Sequence, residues 1–238
     1  MNATTIKKFK PDEEAVLRRL SKIPIDEPRQ RMLDAAAATC GGDPTWRVRK
    51  RAEAHDLLAL SQIAPEDRLI VMSLDLRESL RAALLLQVPV PCRPGPSNRL
   101  PVHGIAMLGL TYRREAIHEH LPGWAFVQIL EPRGVWLPAV DEARQALCLG
   151  PTLPIGIRTS ELVLMSFGAL SMQSVQLDER DTAGVFNAEA ARWWQQNADR
   201  IPLTRTPFLV RDQRPSDVDR QADFATTAAP ETDKRRQP

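Results

Sequence analysis

Residues 124–150 read WAFVQILEPRGVWLPAVDEARQALCLG, and what this stretch becomes decides how the rest of the chain is arranged. Its opening, 124–130, is short and rich in β-formers, which predicts a strand. From 136 to 156 the pattern is lost: WLPAVDEARQALCLGPTLPIG is irregular and long for a simple connection, and such segments in a compact domain usually carry function. Cys148 sits inside it, in the apolar run ALCLG, closed at once by Gly150 and Pro151. Two readings of that thiol are open. It is either a small buried hydrophobe or a nucleophile presented on a loop.

Upstream, residues 68–74, 83–91 and 104–113 are further β-rich runs, with turn signals at CRPGPSN and HLPG. The segment RESLRAALLLQ (77–87) would also pass for a helix. The last three runs follow one another closely enough to predict an antiparallel meander. Downstream, Thr159 or Ser160 is expected to cap a helix so apolar (ELVLMSFGALSMQS) that it must be largely buried. Asn187 then caps a helix over AEAARWWQQNADR.

Three helices are expected before the strands. Pro11 opens the first, with Asp12, Glu13 and Glu14 in its first turn, and 27–39 forms the second, ended by Gly41-Gly42. Asp43-Pro44 starts the third, which runs to about 63 with Trp46, Ala54, Leu57, Leu58 and Leu60 inward. The predicted organisation is an α+β chain: a helical arm at 1–42, a core domain at 43–205 and a disordered tail from 206, where there is almost nothing to bury.

Composition narrows the function classes. The 238 residues are 43% hydrophobic and 26% charged, ordinary for a globular protein. No apolar run approaches the ~18 residues of a membrane span, and the N-terminal stretch turns acidic where a signal peptide would be apolar, so a cytoplasmic chain with no membrane partner is expected. A net charge of +2 makes no global case for nucleic acid. The basic run RVRKR (47–51) is either a solvated helix face or a contact for an acidic partner. A nucleic-acid binder built on it is the third class considered, against which stand the near-neutral charge and the lack of interleaved aromatics.

Cofactor fingerprints are missing. There is no glycine-rich phosphate loop, no GxSxG and no HExxH, and the three cysteines, Cys40, Cys92 and Cys148, form no CxxC pair. His118 and His120 lack a carboxylate or thiol at metal-binding spacing, and spacing alone cannot bring His103, His118 or His120 to the Cys148 sulfur. No cofactor and no metal are predicted.

The order of elements, more than any motif, carries a resemblance. From residue 84 to about 200 the chain resembles the core of ubiquitin-conjugating enzymes, most closely divergent bacterial members encoded in ubiquitination-like operons. WAFVQILEPRGVWLPAV corresponds to that family's third strand and its His-Pro-Asn turn, and ALCLG to its catalytic-cysteine run. TSELVLMSFGALSMQSVQ corresponds to its buried helix, and LDERDTAGVFNAEAARWW to its acidic loop and capped helix. The resemblance implies a UBC-like fold. It implies that Cys148 accepts a ubiquitin-like modifier as a thioester from an activating enzyme and passes it to an amine on a protein target.

Within that resemblance, Asp181 is the expected acidic-loop carboxylate that assists the incoming amine, with Asp178 second. The first core helix, through Arg47, Arg49, Lys50 and Arg51, is the expected contact for the activating enzyme. One departure matters. Leu137-Pro138-Ala139 stands in place of His-Pro-Asn, so the family's oxyanion asparagine is missing, a donor worth about 3–4 kcal/mol in other acyl-transfer sites. The alternative implied by that loss is a non-catalytic module of the same fold. No lysine occurs between Lys50 and Lys234, which would limit self-modification of a loaded carrier and is equally explained by codon bias.

Overall fold

The fold is taken from a computed structural model and is described for residues 11–95, 99–173, 177–178, 184–202 and 207–209. Helices α1 (Pro11–Arg19), α2 (Glu27–Ala38) and α3 (Pro44–Ile63) precede the sheet. The caps of α2 and α3 are local: Asp26 accepts from the Arg29 N–H and Asp43 from the Trp46 N–H, each at 3.1 Å, with a proline in each first turn. Four strands follow, β1 (Leu69–Asp75), β2 (Leu80–Pro91), β3 (Val102–Tyr112) and β4 (Val127–Glu131), paired antiparallel in chain order.

The meander therefore includes all four runs. The ambiguous 77–87 segment resolves as a strand from Leu80 onward, because Leu80, Ala82, Leu84, Leu86, Val88 and Val90 alternate onto one buried face. A helix would have scattered those residues around its circumference. Register is held by pairs such as Leu84 with Val71 on one side and with Leu108 on the other.

Helix α4 (Thr159–Leu170) packs against α3 and β2 with every residue but Glu161 buried, and α5 (Ala188–Gln196) follows. Its N-terminus is not capped by Thr159 or Ser160 as expected. Arg158 occupies that position, and its N–H donates to Glu161 at 2.8 Å. The Thr159 N–H and hydroxyl instead donate, at 2.7 and 2.9 Å, to the buried carboxylate of Glu53 on α3. An anion at a helix N-terminus is favoured by the helix dipole, and here it comes from another helix. Burial pushes the Glu53 carboxyl up from its ordinary range, against which the Thr159 N–H and Arg49 pull it down.

Two boundaries shift. The expected N-terminal arm does not stand apart: Leu17, Leu20, Leu33 and Ala36 belong to the same hydrophobic cluster as α3 and the sheet. Within the expected tail, Phe208 is only 2% exposed and meets Phe167 of α4 edge to face, with ring centroids 5.2 Å apart. Arg68 holds that segment by donating to the carbonyls of Pro207 and Phe208. The tail beyond 209 lies outside the described residues. Among the described residues no helix is long and apolar enough to cross a membrane.

Candidate functional site

The irregular segment turns out to be braced on both sides. On one side the Ile129 N–H donates to Gln145 O at 2.8 Å and the Leu147 N–H to Val127 O at 2.9 Å, so residues 145–147 add to the free edge of β4. On the other, the Cys148 N–H donates to Ala139 O at 2.7 Å and the Asp141 N–H to Ala146 O at 3.0 Å. The turn between these contacts closes through the Gln145 N–H to Asp141 O, 2.8 Å, with Gln145 in the left-handed region at φ 55°. Gln145 is buried in that conformation; its side-chain oxygen accepts from the Val135 N–H at 3.0 Å and its amide donates to Glu142 O at 2.9 Å. These bonds over-determine a conformation that costs about 1–3 kcal/mol.

Cys148 emerges from this brace with 6% of its surface exposed, and its sulfur lies 3.6 Å from Gly150 O. A thiol well exposed on the surface, as loading from an activating enzyme implies, is therefore not what the fold presents. The reason is the extended run itself, which is hydrogen-bonded on both edges and followed by a turn folded back over the sulfur. Gly150 makes that turn at φ 137°, a conformation open to glycine.

Gly123 packs against the same turn. Its N–H donates to the same Gly150 O at 3.0 Å, and a Cβ there would stand 2.5 Å from Gly150 O and 2.6 Å from Gly150 N. Gly123→Ala is accordingly expected to lose about 1–3 kcal/mol of stability and to push residues 149–150 away, so that Cys148 reacts faster with a small thiol reagent. Unchanged labelling kinetics in a destabilised variant would count against this packing as the gate on the sulfur.

A cavity of about 420 Å³ is lined by Trp124, Asp141, Arg144, Ala146, Val185 and Phe186. Phe186 and Asn187 are tied to the Leu137-Pro138-Ala139 turn: both backbone N–H groups donate to Pro138 O, at 2.8 and 3.0 Å. Asn187 caps α5 as expected, its side-chain oxygen accepting from the Ala190 N–H at 2.9 Å, and its buried Nδ2 has no partner among the described residues. Trp194 of α5 is fully buried and donates from Nε1 to Trp136 O at 2.7 Å, which locks the capped helix against the turn.

Of the other expected site residues, Asp181 lies outside the described residues and Asp178 is exposed. Arg47 and Arg51 lie exposed on α3. Lys50 does not: it is fully buried, and its ammonium donates to Gly41 O and Arg77 O at 2.9 Å each and to Leu76 O. It is thereby removed from any contact surface. It lies four residues from both Trp46 and Ala54, on the buried face of α3. Arg49 is half-buried and committed internally, 2.7 Å from Glu53, 3.3 Å from the Tyr112 hydroxyl and 3.2 Å from Gly156 O.

Val48 on α3 and Ile155 on the loop after Cys148, 69% and 49% exposed, are among the exposed apolar residues that escaped the sequence reading. Asp141 and Trp124 escaped it too. Trp124 was assigned to a strand, but the PG pair before it starts a 3-10 turn, Gly123–Ala125, and leaves the indole 44% exposed.

Cys92 is buried, and desolvation raises its pKa, which suppresses the thiolate; Cys40 is half-buried beside Gly41. His103 and His118 are exposed, while His120 uses Nδ1 on Leu153 O at 3.0 Å. No group of three or more metal-ligating side chains comes together among the described residues. Comparison of the chain with protein-family models, with curated proteins and with solved structures finds no significant match.

Proposed function

We propose that the chain is a carrier of the ubiquitin-conjugating type, built on a UBC-like fold, which holds a ubiquitin-like modifier as a thioester on Cys148 and hands it to an amine of a protein target. The observation that carries this reading is the placement of Cys148. It follows a four-stranded meander, in a run hydrogen-bonded to the Leu137-Pro138-Ala139 turn, and it precedes a buried helix and an Asn187-capped helix tied back to the same turn. Arg47 and Arg51, beside Val48, are the side chains left to meet an activating enzyme. Thiol–thioester exchange needs the sulfur reached by an incoming thioester, so loading requires the 149–150 turn to open.

A second reading is favoured by specific observations: Cys148 is 6% exposed, and Ala139 stands where the family has its oxyanion asparagine. On that reading the chain is a binding or scaffold module and Cys148 is structural. One experiment separates the two. Incubated with an activating enzyme, a ubiquitin-like modifier and ATP, the wild-type chain is expected to form an adduct on a non-reducing gel that thiols dissolve and Cys148→Ala abolishes. An adduct that survives in Cys148→Ala removes this cysteine as the carrier. The absence of any adduct, together with no labelling of Cys148 in the native chain, favours the module.

A further inference from the structure

Helices α3 and α4 pack against the sheet on the face where Leu84, Leu86 and Leu108 are buried. The alternate residues of the same strands point the other way, and several of those are apolar too. Ile70, Met72 and Ile105 are 38%, 50% and 50% exposed, and Leu85 and Met107 are half-buried. Register lines them up: Ile70 pairs with Leu85 and Leu85 with Met107, while Ile105 stands opposite Gln87. Leu130 of β4 joins them over Gly109, where an added Cβ would meet its side chain at 3.4 Å. Single exposed apolar residues need no explanation, but an apolar row that crosses three strands marks an interaction face.

The charges at the two ends of this face select its occupant. At one end Arg81 of β2 is exposed, and the carboxylate opposite it, that of Asp75, is already held by Arg77 at 2.7 Å. At the other end the exposed Glu66 and Asp67 lead into Arg68, whose carbonyl accepts from the Gln87 N–H at 2.9 Å. Arg81 thus lies on one side of the Ile70–Leu85–Met107 row and the acidic turn on the other. A two-fold axis lying along that row exchanges the two ends, so that the apolar row meets itself and each basic end meets an acidic one. Such self-complementarity is what an isologous dimer requires.

We infer that the open face of the sheet is the interface for a second copy of this chain. The two sheets stack over Ile70, Leu85, Ile105 and Met107, and Arg81 of each copy meets Glu66 and Asp67 of the other. Sheets packed face to face lie about 10 Å apart, which these side chains span from both sides. With strands about 4.8 Å apart and about 3.3 Å per residue, the face measures roughly 14 by 23 Å over the length of β1. That is below the ~800 Å² per partner of a standard interface, so the dimer is a concentration-dependent one. The interface is independent of the role proposed for Cys148.

Sedimentation velocity of the full chain, from the low micromolar range upward, is expected to show reversible dimerisation. Ile105→Glu is expected to weaken it about a hundredfold by setting a charge in the apolar row, and to leave the cooperative unfolding transition in place because Ile105 is half-exposed in the single chain. Arg81→Glu, and separately the pair Glu66→Arg and Asp67→Arg, are each expected to weaken self-association about tenfold, since like charges then meet. Mixed together, these two charge-reversed chains are expected to associate with each other. A chain that stays monomeric at every concentration, a dimer that survives Ile105→Glu, or charge-reversed chains that fail to associate on mixing overturns this interface.

Discussion

Lys50→Met is expected to lower the unfolding free energy by roughly 3–5 kcal/mol, measured as a shift in the midpoint of cooperative denaturation at constant slope. The ammonium is fully buried and donates to three carbonyls, those of Gly41, Leu76 and Arg77, while lying 5.6 Å from the Trp46 ring centroid. One side chain thereby ties α3 to the α2–α3 linker and to the β1–β2 turn. Methionine fills nearly the same volume, so the loss reports the missing ammonium hydrogen bonds and not a void. Arg51→Met, one position along and exposed, is expected to change stability by no more than about 0.5 kcal/mol. Equal effects at the two positions would mean that Lys50 is not the pin.

Phe208→Ala should cost about 3–5 kcal/mol, the range for removing a buried ring when the cavity cannot collapse. The ring is 2% exposed and packs edge to face on Phe167, in the last turn of α4, with the Arg68 guanidinium carbon 5.9 Å from the Phe167 ring centroid. Because α4 directly follows the Cys148 segment, the same substitution is expected to raise the rate at which Cys148 reacts with a thiol reagent. The check is a pair of measurements, denaturation and labelling. A loss near zero would return residues 207–209 to the polar tail that their composition suggests.

Local chemistry made much of the fold legible. Asp43-Pro44 and Asn187 satisfy the N–H groups of their own helices, so α3 and α5 begin where the sequence places them. The alternation along β2 and the apolar circumference of α4 likewise reveal which faces are covered, and the order of strands, cysteine run and buried helix was readable as far as Cys148 itself. In each of these the decisive partners lie within about one helical turn or one strand spacing of each other.

What the tertiary structure alone decided involves partners far apart in the chain. Thr159 finds its capping anion on Glu53, and Lys50 finds its carbonyls at Leu76 and Arg77. Phe208 finds Phe167, and Gly123, from the loop before β4, packs on the Leu149–Gly150 backbone that follows Cys148. A lysine, a glutamate and a tail phenylalanine each look solvated when only their neighbours in sequence are read. Burial reverses that assignment, because removing a charge from water is tolerated only where fixed dipoles replace the lost hydration. The same holds at the site: the cysteine's position followed from the order of elements, but Asp141 and Trp124 came to line one cavity only when the segment folded back along the edge of β4.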